Sequence, residues 1–308
     1  MMRNAFVDEL ICMAEVNPQI ALVVGDLGYS VIEPFRDRFP DRFVNAGVAE
    51  QNMTGLAAGM ASEGYHVFTY SIANFPTFRC AEQIRNDVDY LGMSVTVVAV
   101  GGGLGYGPLG YSHHAVQDYA LIRAMPSMLI CAPGDPLEVR ACLRYLIANP
   151  QPSYLRLGKA GEPLLHHKLL TVEPGHWVKV LHKGIRSDVA IVTTGAVLSS
   201  VFTWMNDPAL NEIDLYSMPL WGMRHKSMQA EQAKSYKHII TVEDHLVDAG
   251  FGSWMCESLI ASGDSLPRLT TIALDEVVCG SVGSQESLNN IGGLSLDQLR
   301  RAVANNAT

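Results

Sequence analysis

At 308 residues the chain is long enough for two domains with cores of their own, and 48% hydrophobic against 17% charged residues reads as soluble and globular. A net charge of −9 offers no basic face to displace counterions from nucleic acid, and no apolar run reaches membrane-spanning length. The six cysteines are scattered without C-x-x-C spacing, which argues against a zinc site or redox pair and points to a reducing cytoplasm.

The opening MMRNAFVDELICMAE carries acids within its apolar run and so does not read as a signal peptide. Apolar spacing at Phe6, Leu10, Met13 and Ala14 predicts a helix over 5–15, stopped at Asn17-Pro18. A β-branched run predicts a strand over 20–24. A small-residue helix follows over 51–63, then a strand over 67–70, a helix over 76–91 and a strongly β-branched strand over 94–100. Helices over 116–124 and 136–148 flank a strand over 128–131, and 153–157 reads as a final strand. The stretch 149–177 is rich in proline, glycine and histidine and becomes a linker after that strand. A second alternating pattern begins at 189–193, continues through 196–205, 213–216, 230–236 and 238–242, and ends with 252–262 and 269–273.

This alternation predicts an α/β fold of two domains, each a mostly parallel sheet flanked by helices. The expected boundaries are 1–165 for the first domain, 166–185 for the linker and 186–308 for the second. Ligands gather at the carboxyl ends of parallel strands. That rule picks out the loops 25–30, 45–50, 71–78 and 101–114.

Chemistry concentrates in residues 42–64, RFVNAGVAEQNMTGLAAGMASEG. Glu50 stands between a strand-like run (Phe43, Val44) and a run of small residues that allow close approach. A poorly solvated carboxyl is suited to proton transfer, because burial favours its neutral form; a first-turn helix glutamate favoured by the macrodipole is the plainer alternative. Phe75 and Phe78 are spaced three apart and form either a packing face or an aromatic wall. The loop GGGLGYGPLGYSHH contains a literal G-x-G-x-x-G at Gly105, Gly107 and Gly110, which raises the alternative of an NAD-binding Rossmann dehydrogenase. Pro108, Tyr111 and two histidines intervene before helical spacing resumes, whereas the dinucleotide motif opens directly into a helix.

The text Asn45-x-Gly47-Val48-x-Glu50-Gln51-Asn52, followed by Ala57-Ala58-Gly59, closely resembles the pyrimidine-binding domain of transketolases. Thr193–Gly195 and Val242–His245, with Gly250 and Gly252 beyond, resemble the C-terminal domain of the same superfamily. The resemblance implies thiamine diphosphate as cofactor, with Glu50 as its activator, Asp26 near it, and Ile72, Phe75 and Phe78 walling the aminopyrimidine. It also implies that His113 binds substrate and takes part in catalysis, and that Arg3, Ser30, His113 and Arg156 hold a substrate phosphate. For His114 a packing or supporting role stands beside direct contact with substrate.

Three departures narrow the reading. Where transketolases acting on ordinary sugar phosphates carry an aspartate four residues before the loop histidine, this chain has Leu109; twelve residues before, a histidine is replaced by Gly101. The hydroxyl-reading side is thus altered and a non-standard sugar substrate is expected. The third departure is that the resemblance reaches only the C-terminal half of a full transketolase. The Gly-Asp-Gly motif with its asparagine about thirty residues on, which holds Mg²⁺, is not found here. The implied assembly is a split enzyme with a separate diphosphate-binding subunit that carries the magnesium motif, arranged as an α₂β₂ heterotetramer. The expected reaction is transfer of a two-carbon ketol unit between phosphorylated sugars. The alternatives are a decarboxylating relative, similar to deoxyxylulose-phosphate synthase or to a 2-oxoacid dehydrogenase β subunit, and a non-catalytic partner that has kept the fold.

Overall fold

The computed structural model describes residues 1–181, 188–263 and 266–304. Twelve strands run in chain order among them: β1 (Ile20–Val24), β2 (Phe43–Asn45), β3 (His66–Ile72), β4 (Val95–Val100), β5 (Leu129–Cys131), β6 (Ser153–Leu157), β7 (Val178–Leu181), β8 (Val189–Thr193), β9 (Asp214–Ser217), β10 (Leu220–Trp221), β11 (His238–Leu246) and β12 (Arg268–Leu274). They form a seven-stranded sheet ordered β10-β5-β6-β4-β3-β1-β2 and a five-stranded sheet ordered β12-β11-β8-β9-β7. All pairings are parallel except the edge pairs β10–β5 and β7–β9.

The inner strands of the first sheet are buried on both faces, which is why their sequences are nearly unbroken apolar runs such as Val95–Val100, whereas the edge strand β2 is only half-buried. Alternate residues serve opposite faces. Ile20, Leu22 and Val24 pack with Phe6 and Leu10 of helix α1 (Met2–Val16), while Val23 faces the other way toward Met53 and Ala57. After helix α2 (Glu33–Arg38) comes helix α3 (Glu50–Ser62), whose small residues Ala57, Ala58 and Ala61 form the buried side against the sheet.

Strand β10 comes from the C-terminal half yet completes the edge of the first sheet, so the two sheets share a seam. Trp221 of β10 stacks edge-on against Tyr119 from the first half and packs against Phe251 and Trp254 from the second. The expected linker 166–185 contains β7, an edge strand of the second sheet. Its last residues and the expected start of the second domain, positions 182–187, lie outside the described residues, as do positions 305–308.

The expected helix over 76–91 is broken. A four-residue turn (Phe75–Phe78) gives way at Cys80, whose φ of −109° and ψ of 13° leave helical geometry, and a π-helical segment (Ile84–Tyr90) follows a short turn. Two helices near the C-terminus, Gln285–Ile291 and Leu296–Ala304, have no counterpart among the expected elements. Among the described residues no helix is long and apolar enough to cross a membrane.

Candidate active site

Four loops at the carboxyl ends of β1, β2, β3 and β4 meet at one edge of the first sheet. The first is locked by a side-chain exchange. The Asn45 amide donates to Asp26 Oδ1 (2.9 Å), the Asp26 backbone amide donates to Asn45 Oδ1 (3.2 Å), and the Tyr29 hydroxyl donates to Asp26 Oδ1 (3.0 Å). These bonds, Asn45's first, hold the Asp26 carboxyl below the ordinary carboxylate range. Asp26 and Ser30 both have positive φ, 54° and 66°. Such backbone costs on the order of 1–3 kcal/mol and persists only where neighbours hold it. Ser30 is exposed, with its backbone amide on Glu33 Oε1 (2.8 Å).

Glu50 opens α3 and is 2% exposed. Its Oε2 accepts from Arg79 Nη1 at 2.6 Å. Nothing in the local sequence marks Arg79; the break at Cys80 leaves it directly after the short turn that holds Phe75, where its guanidinium lies 5.0 Å from the Phe75 ring centre. Phe75 in turn meets the His113 ring edge-on, with centroids 5.1 Å apart. Asn74 ties the two loops together by donating to the Ser112 carbonyl (2.8 Å), and the Ser112 hydroxyl pairs with His113 Nδ1 (3.0 Å). Beyond His113 lies Tyr106, with centroids 6.4 Å apart, and beyond that Lys159, whose ammonium sits 4.5 Å from the Tyr106 ring centre. A continuous row therefore runs Glu50, Arg79, Phe75, His113, Tyr106, Lys159.

Ile72 ends β3 half-buried beside this row, and Phe78 stands 44% exposed on the same turn as Phe75. Gly25 follows β1, and a Cβ there would stand 3.8 Å from Glu50 Cγ. A buried carboxylate with an exposed and a half-buried aromatic ring beside it fits a flat, nitrogen-bearing aromatic ring, and the aminopyrimidine of thiamine is one. Among the described residues no group of three or more His, Cys, Asp or Glu side chains could hold a metal ion.

Arg156, expected to hold a phosphate, is closed off from the site and bonded to the protein. It is 2% exposed, and its guanidinium is spent on protein groups: Nε on Asp118 Oδ2 (2.7 Å), Nη1 on Asp244 Oδ1 and the Tyr119 hydroxyl (3.3 Å), Nη2 on the Ala115 carbonyl (2.7 Å) and the Asp244 carbonyl (3.2 Å). Burial works against the charge, but Asp118 and Asp244 overcome it and hold the guanidinium firmly protonated. Because Asp118 belongs to the first half and Asp244 to β11, Arg156 is a clamp between the two sheets. Gly102 and Gly103 lie flat on it; a Cβ at Gly102 would fall 2.3 Å from Arg156 Nε, and one at Gly103 2.4 Å from Asp244 Oδ2.

The G-x-G-x-x-G text does not open a helix. Gly107–Leu109 and Tyr111–His113 are single 3-10 turns, and the next helix begins at Asp118. Gly107 is instead pressed against the C-terminal segment, where a Cβ would lie 2.6 Å from the Gly283 carbonyl. His114 is buried, its Nε2 3.4 Å from the Gly107 carbonyl, so it braces this loop. Leu109 points outward, 56% exposed. Arg3 lies in the first turn of α1, and its guanidinium sits near the phenols of Tyr70 and Tyr106.

Residues 1–161 match the family described as Transketolase, pyrimidine binding domain. An apulose-4-phosphate transketolase component from Actinobacillus succinogenes is 29% identical over 299 residues, covering 96% of this chain and 95% of that protein. The protein of the same name from Phocaeicola vulgatus is 31% identical over 289 residues, covering 91% and 89%. A solved structure titled as a split gene transketolase, inactive beta4 tetramer, superposes with a TM-score of 0.83 at 27% identity, covering 99% of this chain and 97% of that one.

Proposed function

This chain belongs to the transketolase family, and from that premise we propose that it is the pyrimidine-binding subunit of a split, thiamine-diphosphate-dependent enzyme that transfers a two-carbon ketol unit between phosphorylated sugars. The observation that carries the reading is the Glu50-to-Lys159 row, an acid at one end and a lysine at the other, on the loops where a parallel sheet receives ligands. Bound thiamine diphosphate supplies a carbon nucleophile for cleaving and remaking a carbon–carbon bond.

The residues divide the remaining work. Glu50 shares a proton with the ring nitrogen of the pyrimidine. Ile72, Phe75 and Phe78 wall that ring, and Asp26 braces the neighbouring loop. His113 holds the reacting end of the sugar. Arg3 and Lys159, with Ser30, receive the phosphate, since Arg156 has no donor left to give. Mg²⁺ and the diphosphate fall to a separate subunit that carries the Gly-Asp-Gly motif, in an α₂β₂ assembly in the cytoplasm. Leu109 and Gly101 remove the hydroxyl-reading groups expected for common pentose phosphates, which favours a non-standard sugar; the apulose-4-phosphate transketolase relatives at 29% and 31% identity support that choice.

Glu50→Gln in the reconstituted complex tests the assignment. The expected result is a fall in kcat of about 10²–10⁴-fold with partner and cofactor still bound. Full activity in that variant would remove Glu50 from the chemistry.

A further inference from the structure

Tyr106 is one of the members of the row that no motif accounts for. Its ring lies directly over Gly101, where a Cβ would come within 2.2 Å of Tyr106 Cε2, and Gly101 holds a φ of +77°. A side chain at 101 is thus excluded twice, by backbone conformation and by the ring itself. The ring also carries the Lys159 ammonium 4.5 Å from its centre, and Lys159 is otherwise exposed on the loop after β6. Arg3 acts on the same phenol: burial raises the Tyr106 pKa and Arg3 opposes the rise. Burial also raises the Tyr70 pKa and Arg3 opposes that rise, so the Arg3 guanidinium lies near both phenols. The neighbouring acid, Glu162, accepts instead from the Met2 backbone amide at 3.1 Å.

We propose that Tyr106, seated on Gly101, is a positioning residue that holds Lys159 beside Arg3 and thereby sets the enzyme's preference for phosphorylated over unphosphorylated sugars. An aromatic face attracts an ammonium without competing for its hydrogen bonds, so the lysine is held in place with its N–H donors free for phosphate oxygens. The exposed lysine would otherwise sample many rotamers, and ordering it in advance removes part of the cost of binding. This inference rests on the ketol-transfer reading above.

The test compares glyceraldehyde 3-phosphate with glyceraldehyde as acceptors for the complex of both subunits. Tyr106→Leu should raise KM for the phosphorylated aldehyde about tenfold more than KM for glyceraldehyde. Gly101→Ala, which displaces the ring without altering the phenol, should reproduce that loss, and Tyr106→Phe should restore the discrimination because the ring face survives. Equal losses with both aldehydes, or discrimination intact in Tyr106→Leu, would overturn the role of Tyr106 while leaving ketol transfer standing. A wild-type complex that transfers a two-carbon unit to no aldehyde, phosphorylated or not, would overturn both.

Discussion

Arg79 donates to the buried carboxylate of Glu50 at 2.6 Å, so the acid that opens α3 is held by a side chain that is itself 49% exposed. That geometry makes Arg79 a competitor for the oxygen a pyrimidine ring nitrogen would engage. Release is inexpensive, because a half-exposed guanidinium recovers hydration and keeps its seat over Phe75.

The first prediction follows from this competition. Arg79→Ala should tighten thiamine diphosphate binding to the assembled enzyme by about two- to fivefold, ~0.5–1 kcal/mol for an ion pair of this exposure. Titration of cofactor by calorimetry measures it. Weaker binding in the variant would mean that Arg79 contacts the cofactor itself.

Phe78 provides a second. Because the ring is 44% exposed, Phe78→Ala should leave the thermal midpoint of the chain nearly unchanged while weakening cofactor binding about two- to tenfold, the range of one aromatic contact. A large fall in the thermal midpoint with unaltered cofactor affinity would place Phe78 in packing instead.

The burial of Glu50 at the head of α3 is legible in the sequence, but its role is implied only by the resemblance of the whole Asn45–Gly59 text, since one acid amid small residues reads as well as a first-turn helix glutamate. Arg79 is not legible, since its approach to Glu50 depends on the chain leaving helical geometry at Cys80. Arg156 misleads. A strand-end arginine reads as a ligand for anions, yet its partners Asp118 and Asp244 lie 38 and 88 positions away, and no local pattern joins them. Strand β10 escapes for a similar reason: two residues carry no periodicity, and their place is fixed by Trp221 packing against both halves.

The correction at Arg156 yields a third prediction. Arg156→Met would leave Asp118 and Asp244 buried beside each other without their cation, a loss of about 3–5 kcal/mol. Urea unfolding should show this, with KM for phosphorylated substrate unchanged in whatever fraction remains folded. A raised KM with unaltered stability would return Arg156 to the phosphate site.

Acid sensitivity gives a fourth. Burial drives the His66 pKa down from 6.5 to about 4, and its Nε2 pairs with the Thr96 hydroxyl at 2.9 Å. Between those values the unfolded chain binds the extra proton, so the stability this group supports is intact above pH 6.5 and drains as pH falls toward 4. At about 1.4 kcal/mol per unit, the wild type should lose roughly 3 kcal/mol more than His66→Gln between about pH 7 and pH 4. Parallel pH–stability curves for the two proteins would contradict the assignment.

The central claim is that this chain contributes one half of a thiamine-dependent ketol-transfer site. The most direct measurement mixes it with the diphosphate-binding subunit, thiamine diphosphate and Mg²⁺, and follows two-carbon transfer from a ketose phosphate to an aldehyde phosphate. Activity is expected only in the mixture, with a sugar other than the xylulose 5-phosphate and ribose 5-phosphate pair as the preferred substrate. Transfer by this chain alone, efficient turnover of that common pair, or release of CO₂ from pyruvate without ketol transfer would contradict the claim.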